Sequence, residues 1–143
     1  TVGALVAGDA LGEVLDGRGG VLAGARGKDG APAVSARVIA DGALEGDFSS
    51  LIRAPESGAN TTLAVVATDA PLTRPALESV ARIAATAVAR RISPVHTPFD
   101  GDVVFALSTA LEGRELSPSL VLALGVLAAE ALEHAIERAV TVE

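Results

Sequence analysis

Apolar residues are spaced along this chain in two different rhythms. Val2 to Ala7 forms a short apolar run that reads as a strand. Gly8 to Gly20 is rich in glycine and holds the turn-forming Asp16-Gly17 pair, which predicts irregular chain with one short extended piece. Val21 to Ala25 is apolar again, Gly27-Lys28-Asp29-Gly30 marks a turn, and Val34 to Ile39 predicts a further short strand. From Ala40 to Asn60 no period is sustained. Turn formers at Gly46-Asp47 and Pro55-Glu56-Ser57-Gly58 predict a surface linker, with one helical turn near Phe48 to Ile52.

The second half is more regular. Thr61 to Asp69 is nearly all apolar or β-branched, the pattern of a strand covered on both faces. A helix is predicted next, with Thr73 as N-cap, Pro75 early, and Leu77, Val80, Ala84 and Val88 on one face. Arg90 and Arg91 fall in its last turn, where cations suit the helix dipole. Pro94 and Pro98 keep the following stretch non-helical. Asp102 to Thr109 reads as a second strong strand, and Ser117-Pro118 opens a last helix that runs to about Val140. This strand, helix, strand, helix order predicts a sheet covered by helices, with extra strands from the first half.

Composition sharpens the picture. The 143 residues make room for one modest domain. Half are hydrophobic, so a packed core is expected, yet 29 are alanine and only three are aromatic, all phenylalanine. Such small side chains contribute little buried area each. Without cysteine there is no disulfide, thiolate nucleophile or thiolate metal site. A net charge of -7 offers no basic patch for nucleic acid. The longest apolar run, Leu120 to Ala129, is too short to span a membrane, so no membrane role is expected. No signal peptide is evident at the N-terminus, which makes cytoplasmic the default expectation. The chain starts directly on core-like residues without Met, as a fragment or processed subunit would.

Two places suggest chemistry. In Gly58-Ala59-Asn60-Thr61-Thr62 a hydroxyl residue opens a strand directly after a loop. A strained bond there lets the Thr61 hydroxyl attack the Asn60 carbonyl, and water then releases a new N-terminal Thr61. Its amine, with a reference pKa near 8, is a fit general base. The competing reading is a threonine that only shapes a turn. In Pro98-Phe99-Asp100-Gly101-Asp102 the two carboxylates are two apart, so an extended backbone turns both to one face. Adjacent carboxylates suit proton handling or a hard cation, whereas a turn residue and a solvated one are the plain alternative. His96 reads as a substrate or loop-supporting residue, Asp69 as a loop or capping residue, and His134 as ordinary surface. No histidine pair has zinc spacing, and no glycine loop has that of a phosphate site, so neither metal nor cofactor is expected.

Asn60-Thr61-Thr62 through Ala70, and Pro94-Val95-His96-Thr97-Pro98-Phe99-Asp100-Gly101-Asp102 through Leu107, together resemble the DmpA-type self-cleaving aminopeptidases. That family, peptidase family S58, includes β-peptidyl aminopeptidases, D-/L-aminopeptidases and the nylon-oligomer hydrolase. The stretches at Thr1 to Val6 and Gly12-Glu13-Val14 are similar to the family's chain ahead of its cleavage point. The resemblance implies an α+β fold, a four-layer αββα sandwich like that of ornithine acetyltransferase, of which this chain is the C-terminal portion. Residues 1–60 would end the large subunit, and 61–143 would form the small subunit. It implies Thr61 as nucleophile, Asn60–Thr61 as cleavage site, and Asp100 and Asp102 as the network around the nucleophile. This carboxylate pair looks like that of the nylon-oligomer relatives, where the β-peptidyl branch has Ser and Glu. The implied substrates are small peptides or oligoamides, and the implied partners are a missing N-terminal portion and further copies in a homo-oligomer. Asp9 stands where the family has an Asn that donates to the oxyanion, a bond an ionised carboxylate cannot make. A weak or inactive relative serving as a binding or scaffold protein is therefore the alternative. A hard-metal hydrolase built on Asp69, His96, Asp100 and Asp102 is a third reading.

Overall fold

Side chains alternate in exposure along the long strands, and that alternation decides the layering. The structure, a computed structural model, describes residues 1–27, 29–45 and 60–141. One mixed sheet is built from β1 (Val2–Asp9), β4 (Thr61–Thr68) and β6 (Val103–Ser108), in the order β1-β4-β6. β1 runs antiparallel to β4, and β6 runs parallel to it. The second sheet holds the short strands β2 (Glu13–Leu15), β3 (Val21–Ala23) and β5 (Ile92–Ser93), in the order β3-β2-β5.

Helices cover one face of the first sheet. α4 (Pro118–Thr141) lies on β1 and against α2 (Arg74–Ala84), which itself packs on β6, while α3 (Thr86–Arg91) packs on α4. The core is the set of side chains between these layers, chiefly Ala64, Val66, Val80, Ala84, Val88, Leu124, Ala128, Leu132 and Ile136. In β4 it is the even positions, Thr62 to Thr68, that point to the helices and are buried. The odd positions point the other way.

That second face is open and apolar. The register sets Leu5 beside Val65 and Val65 beside Phe105, with Ala67 beside Leu107 and Ala7 beside Leu63 in the neighbouring rows. Leu5 is 75% exposed and Phe105 57%, with Leu63 and Leu107 exposed as well. β4 therefore has the composition of a strand covered twice, and the described residues cover it once. Burial of each large side chain on this face is worth about 1.5–3 kcal/mol to whatever covers it.

Three local expectations need correction. Val34 to Ile39 is not a strand: Ser35–Glu45 is a helix, α1. Val34 and Val38 are four apart, and Ser35 sits where its N–H and hydroxyl both donate to the buried Glu13 carboxylate, an anion at a helix start. The single helix expected after Thr73 is broken at Ala85, where the Thr86 hydroxyl donates back to the Ile83 carbonyl at 2.7 Å. Thr73 is extended at the N-cap position but makes no side-chain capping bond. Ser117 does cap α4, accepting the Leu120 N–H at 3.3 Å. The helical turn expected near Phe48 to Ile52 and the turns expected at Gly46-Asp47 and Pro55 to Gly58 lie outside the described residues.

α4 is long and apolar enough, by length and composition, to cross a membrane, which the shorter Leu120–Ala129 run did not suggest. Here one face of it forms core: Leu124, Gly125, Ala128, Ala129, Leu132 and Ile136 are buried. Its C-terminal half is held to α3 by ion pairs. Glu133 meets Arg90 at 2.7 Å and Arg91 at 2.9 Å, and Glu137 meets Arg91 at 2.6 Å. Burial on its own would raise the Glu133 pKa, but the Arg90 hydrogen bond and the charges of Arg91 and Arg90 outweigh it, so the carboxyl sits below its ordinary value of 4.5.

A depressed carboxylate pKa gives stability that is complete above 4.5 and disappears as pH falls through the lower folded-state value. Glu133→Gln is expected to cost about 2 kcal/mol at pH 7. It should also flatten the loss of thermal stability below pH 4.5, read by melting the wild type and the variant in parallel from pH 7 to 3.

Candidate active site

The site forms where β4 and β6 begin, because their parallel register recurs one residue ahead of β4 and three ahead of β6. Asn60 and Asp100 form an isolated parallel bridge there. Through it the Gly101 N–H donates to the Asn60 carbonyl oxygen at 2.8 Å. That carbonyl belongs to the peptide bond ahead of Thr61. Gly101 also runs hard against the Thr61 side chain: a Cβ at this position would stand 2.9 Å from Thr61 Oγ1. Glycine leaves room for the Thr61 hydroxyl beside a backbone that donates to the carbonyl ahead of it.

The flanking carboxylates serve different partners. Asp102 is buried, with 5% of its side chain exposed, and its Oδ1 accepts the Thr62 N–H at 2.8 Å. Asp100 turns to its own loop, where its Oδ2 accepts the Thr97 N–H at 2.7 Å. The pair expected to act together is therefore divided: Asp102 anchors the start of β4, and Asp100 braces the loop that carries both. His96 belongs to that loop, with Nδ1 3.4 Å from Asp102 Oδ2.

Asp9 comes from the other side. It is the register partner of Thr61 across the β1–β4 ladder, and both are odd positions on the open face. Cross-strand partners of this kind hold their Cβ atoms about 5 Å apart. A cavity of about 230 Å³ lies at this end of the sheet, lined by Asp9, Thr62, Val14, Ile92, Ile136 and Val140 among others.

Asp69 is not part of this group. It follows the far end of β4, roughly 25 Å along the strand from Thr61, and meets the Thr1 amino group at 2.6 Å. That amino group's hydrogen bond holds the Asp69 carboxyl below its ordinary range. With Asp69 so distant, the metal reading on Asp69, His96, Asp100 and Asp102 is not assembled. Among the described residues no three His, Asp or Glu side chains form a metal-holding group. His134 is exposed on α4 beside Glu137.

Sequence reasoning marked Thr61, Asp9, Asp100, Asp102 and His96, and the structure gathers these five at one end of the sheet. The glycine between the two acids reads in the sequence as a place where the backbone runs close to a neighbour, and Gly101 does so, whereas Thr62, whose N–H is the group Asp102 holds, was not marked. Gly12 was not marked either. A Cβ on Gly12 would collide with the Pro94 carbonyl oxygen and the Ser93 backbone, so the chain entering β2 sits directly against the loop bearing His96 and Asp100.

Comparison with known proteins identifies the family. The family model for peptidase family S58 matches residues 1–142. The chain belongs to peptidase family S58. Among curated relatives, an uncharacterized aminopeptidase of Mycobacterium tuberculosis (strain H37Rv) is 38% identical over 148 aligned positions, covering 95% of this chain and 42% of the relative. An uncharacterized aminopeptidase of Mycobacterium leprae is 52% identical over 58 residues, covering 41% of this chain and 16% of that protein. At best, then, the chain spans about two fifths of the length of these relatives. A solved structure of a Pyrococcus horikoshii OT3 protein is similar over 57% of this chain and 26% of that one, at 32% identity and a TM-score of 0.48.

Gly12 supplies a test of the candidate site's scaffold. Gly12→Ala is expected to cost about 1–3 kcal/mol in thermal or urea unfolding, as overpacking against backbone does. It should also shift the amide resonances of residues 94–102 more than those of α4.

Proposed function

We propose that Thr61 is the nucleophile of a self-cleaving amide hydrolase of the aminopeptidase type. The observation that carries the reading is the Gly101 N–H on the Asn60 carbonyl, with Thr61 Oγ1 packed against the same glycine. A donor aimed at a carbonyl oxygen is what a tetrahedral intermediate needs as charge develops there. In the first step Thr61 Oγ bonds to the Asn60 carbonyl carbon, the carbon–nitrogen bond breaks, and the hydroxyl proton passes to the departing nitrogen. Water hydrolyses the resulting ester and leaves Thr61 with a free amine. In turnover the same hydroxyl attacks a substrate amide and the Thr61 amine takes its proton. The amine product departs and water releases the acyl group. Asp102 keeps the start of β4 in place through the Thr62 N–H, and Asp100 keeps the loop in shape.

The same reading covers the rest of the molecule. Residues 1–60 end the large subunit and 61–143 form the small one. The open apolar face of β1, β4 and β6 is then the inner face of a four-layer αββα sandwich, covered by a sheet from an N-terminal portion. The 42% coverage of the relatives supports such a portion. Substrates are small peptides or oligoamides, and the assembly is a homo-oligomer. The mycobacterial relatives' designation as aminopeptidases supports the reaction class.

Asp9 favours the second reading, a weak or inactive relative. Across the ladder from Thr61, it offers an acceptor where an amide side chain would donate to the charge the intermediate develops. On the active reading, Asp9→Asn adds a donor and is expected to raise kcat by roughly tenfold or more, measured on a panel of amino-acid anilides.

Intact-mass analysis of the purified full-length protein tests the proposal itself. A fragment beginning at Thr61 is expected, absent in Thr61→Ala and retained in Thr61→Ser. A chain that stays whole, or is cut equally in Thr61→Ala, removes Thr61 as nucleophile.

A further inference from the structure

We infer that His96 is a positioning residue for the Thr61 centre, acting through Asp102. The inference rests on the reading of Thr61 proposed above. His96 has φ of 56°, in the left-handed region that side chains other than glycine seldom occupy. Histidine enters this region more readily than most residues, though still at a cost. Such a conformation persists where the surroundings impose it, and it marks positions held for a purpose. Pro94 and Pro98 bracket the residue and restrict the loop on either side.

The strained backbone brings the imidazole to the buried carboxylate. Nδ1 stands 3.4 Å from Asp102 Oδ2. Oδ1 of the same carboxylate already accepts the Thr62 N–H, whereas Oδ2 is buried and makes no hydrogen bond. A buried carboxylate oxygen without a donor is costly, and the nearby imidazole is a group that can supply one. With 56% of its side chain exposed, His96 is free to turn the few degrees that convert this approach into a bond. Nδ1 then carries the proton and Nε2 is left as acceptor. Asp102, held at both oxygens, can no longer swing away from the Thr62 N–H. The residue beside the nucleophile is fixed as a result, and the attacking hydroxyl keeps its place relative to the Asn60 carbonyl. His96 acts on the carboxylate and takes no proton from the reacting atoms.

Two measurements on the full-length protein test this. The first follows self-cleavage by intact mass and anilide hydrolysis by steady-state kinetics in His96→Ala, His96→Gly and His96→Asn. His96→Ala is expected to slow both processes by roughly ten- to a hundredfold, in kcat rather than KM, as a small misplacement of reacting groups does. His96→Gly relieves the backbone and should melt higher than His96→Ala while remaining as slow. His96→Asn tolerates the left-handed backbone, keeps a donor, and should recover part of the rate. Wild-type kcat in His96→Ala, or a loss confined to KM, overturns the proposal. The second measurement reads the His96 ring nitrogens by NMR. The Nδ1–H tautomer is expected in the wild type and a mixture in Asp102→Asn; a ring whose signals ignore Asp102→Asn refutes the contact. Because this second measurement needs no turnover, it separates a failure of His96 from a failure of Thr61 as nucleophile.

Discussion

The site depends on parallel pairing between β4 and β6 that outlasts the strands themselves. Were the ladder to stop at Leu63 and Val103, the loop carrying His96, Asp100 and Gly101 would be tied to the sheet only by its ends. The extra bridge between Asn60 and Asp100 lays that loop along the peptide bond ahead of Thr61. Everything chemically suggestive follows from the juxtaposition: a backbone donor on the carbonyl, a glycine against the hydroxyl, and a buried carboxylate on the next N–H. Side-chain chemistry alone would not assemble this group, since among the described residues no arginine pairs with Asp9, Asp100 or Asp102.

How much of this was legible depended on how local the signal was. β4, β6 and α4 were readable because long apolar runs, a serine cap and a first-turn proline each state their element without help from elsewhere. α1 was not readable. Val34 and Val38 satisfy a short strand as well as a helix, and what stabilises the helix start is Glu13, more than twenty residues away. The break at Ala85 turns on one hydroxyl bonding back to a carbonyl, invisible in a pattern of apolar positions. β5 has two residues, too few for any periodicity.

Within the site, the residue types were legible and their division of labour was not. Spacing of two put Asp100 and Asp102 on one face of an extended strand, but a turn at Pro98 and Phe99 leads into Asp100, and each acid accepts from a different backbone N–H. Asp69 looked like a member because it ends the same strand that Thr61 begins; eight residues of extended chain carry it to the opposite end. The composition of β4 promises cover on both faces, and the described residues provide cover on one.

The ladder between β1 and β4 has a consequence for what scission would mean. These strands lie on opposite sides of the Asn60–Thr61 bond in the chain, yet they are antiparallel neighbours along eight residue pairs. Severing the backbone there would divide the polypeptide without dividing the sheet. The two products would leave as one particle, bound by the hydrogen bonds and packing that formed before the cut, and the new amino terminus would be born inside a finished scaffold. Processing of this kind changes connectivity alone, so the folded partners never have to find each other.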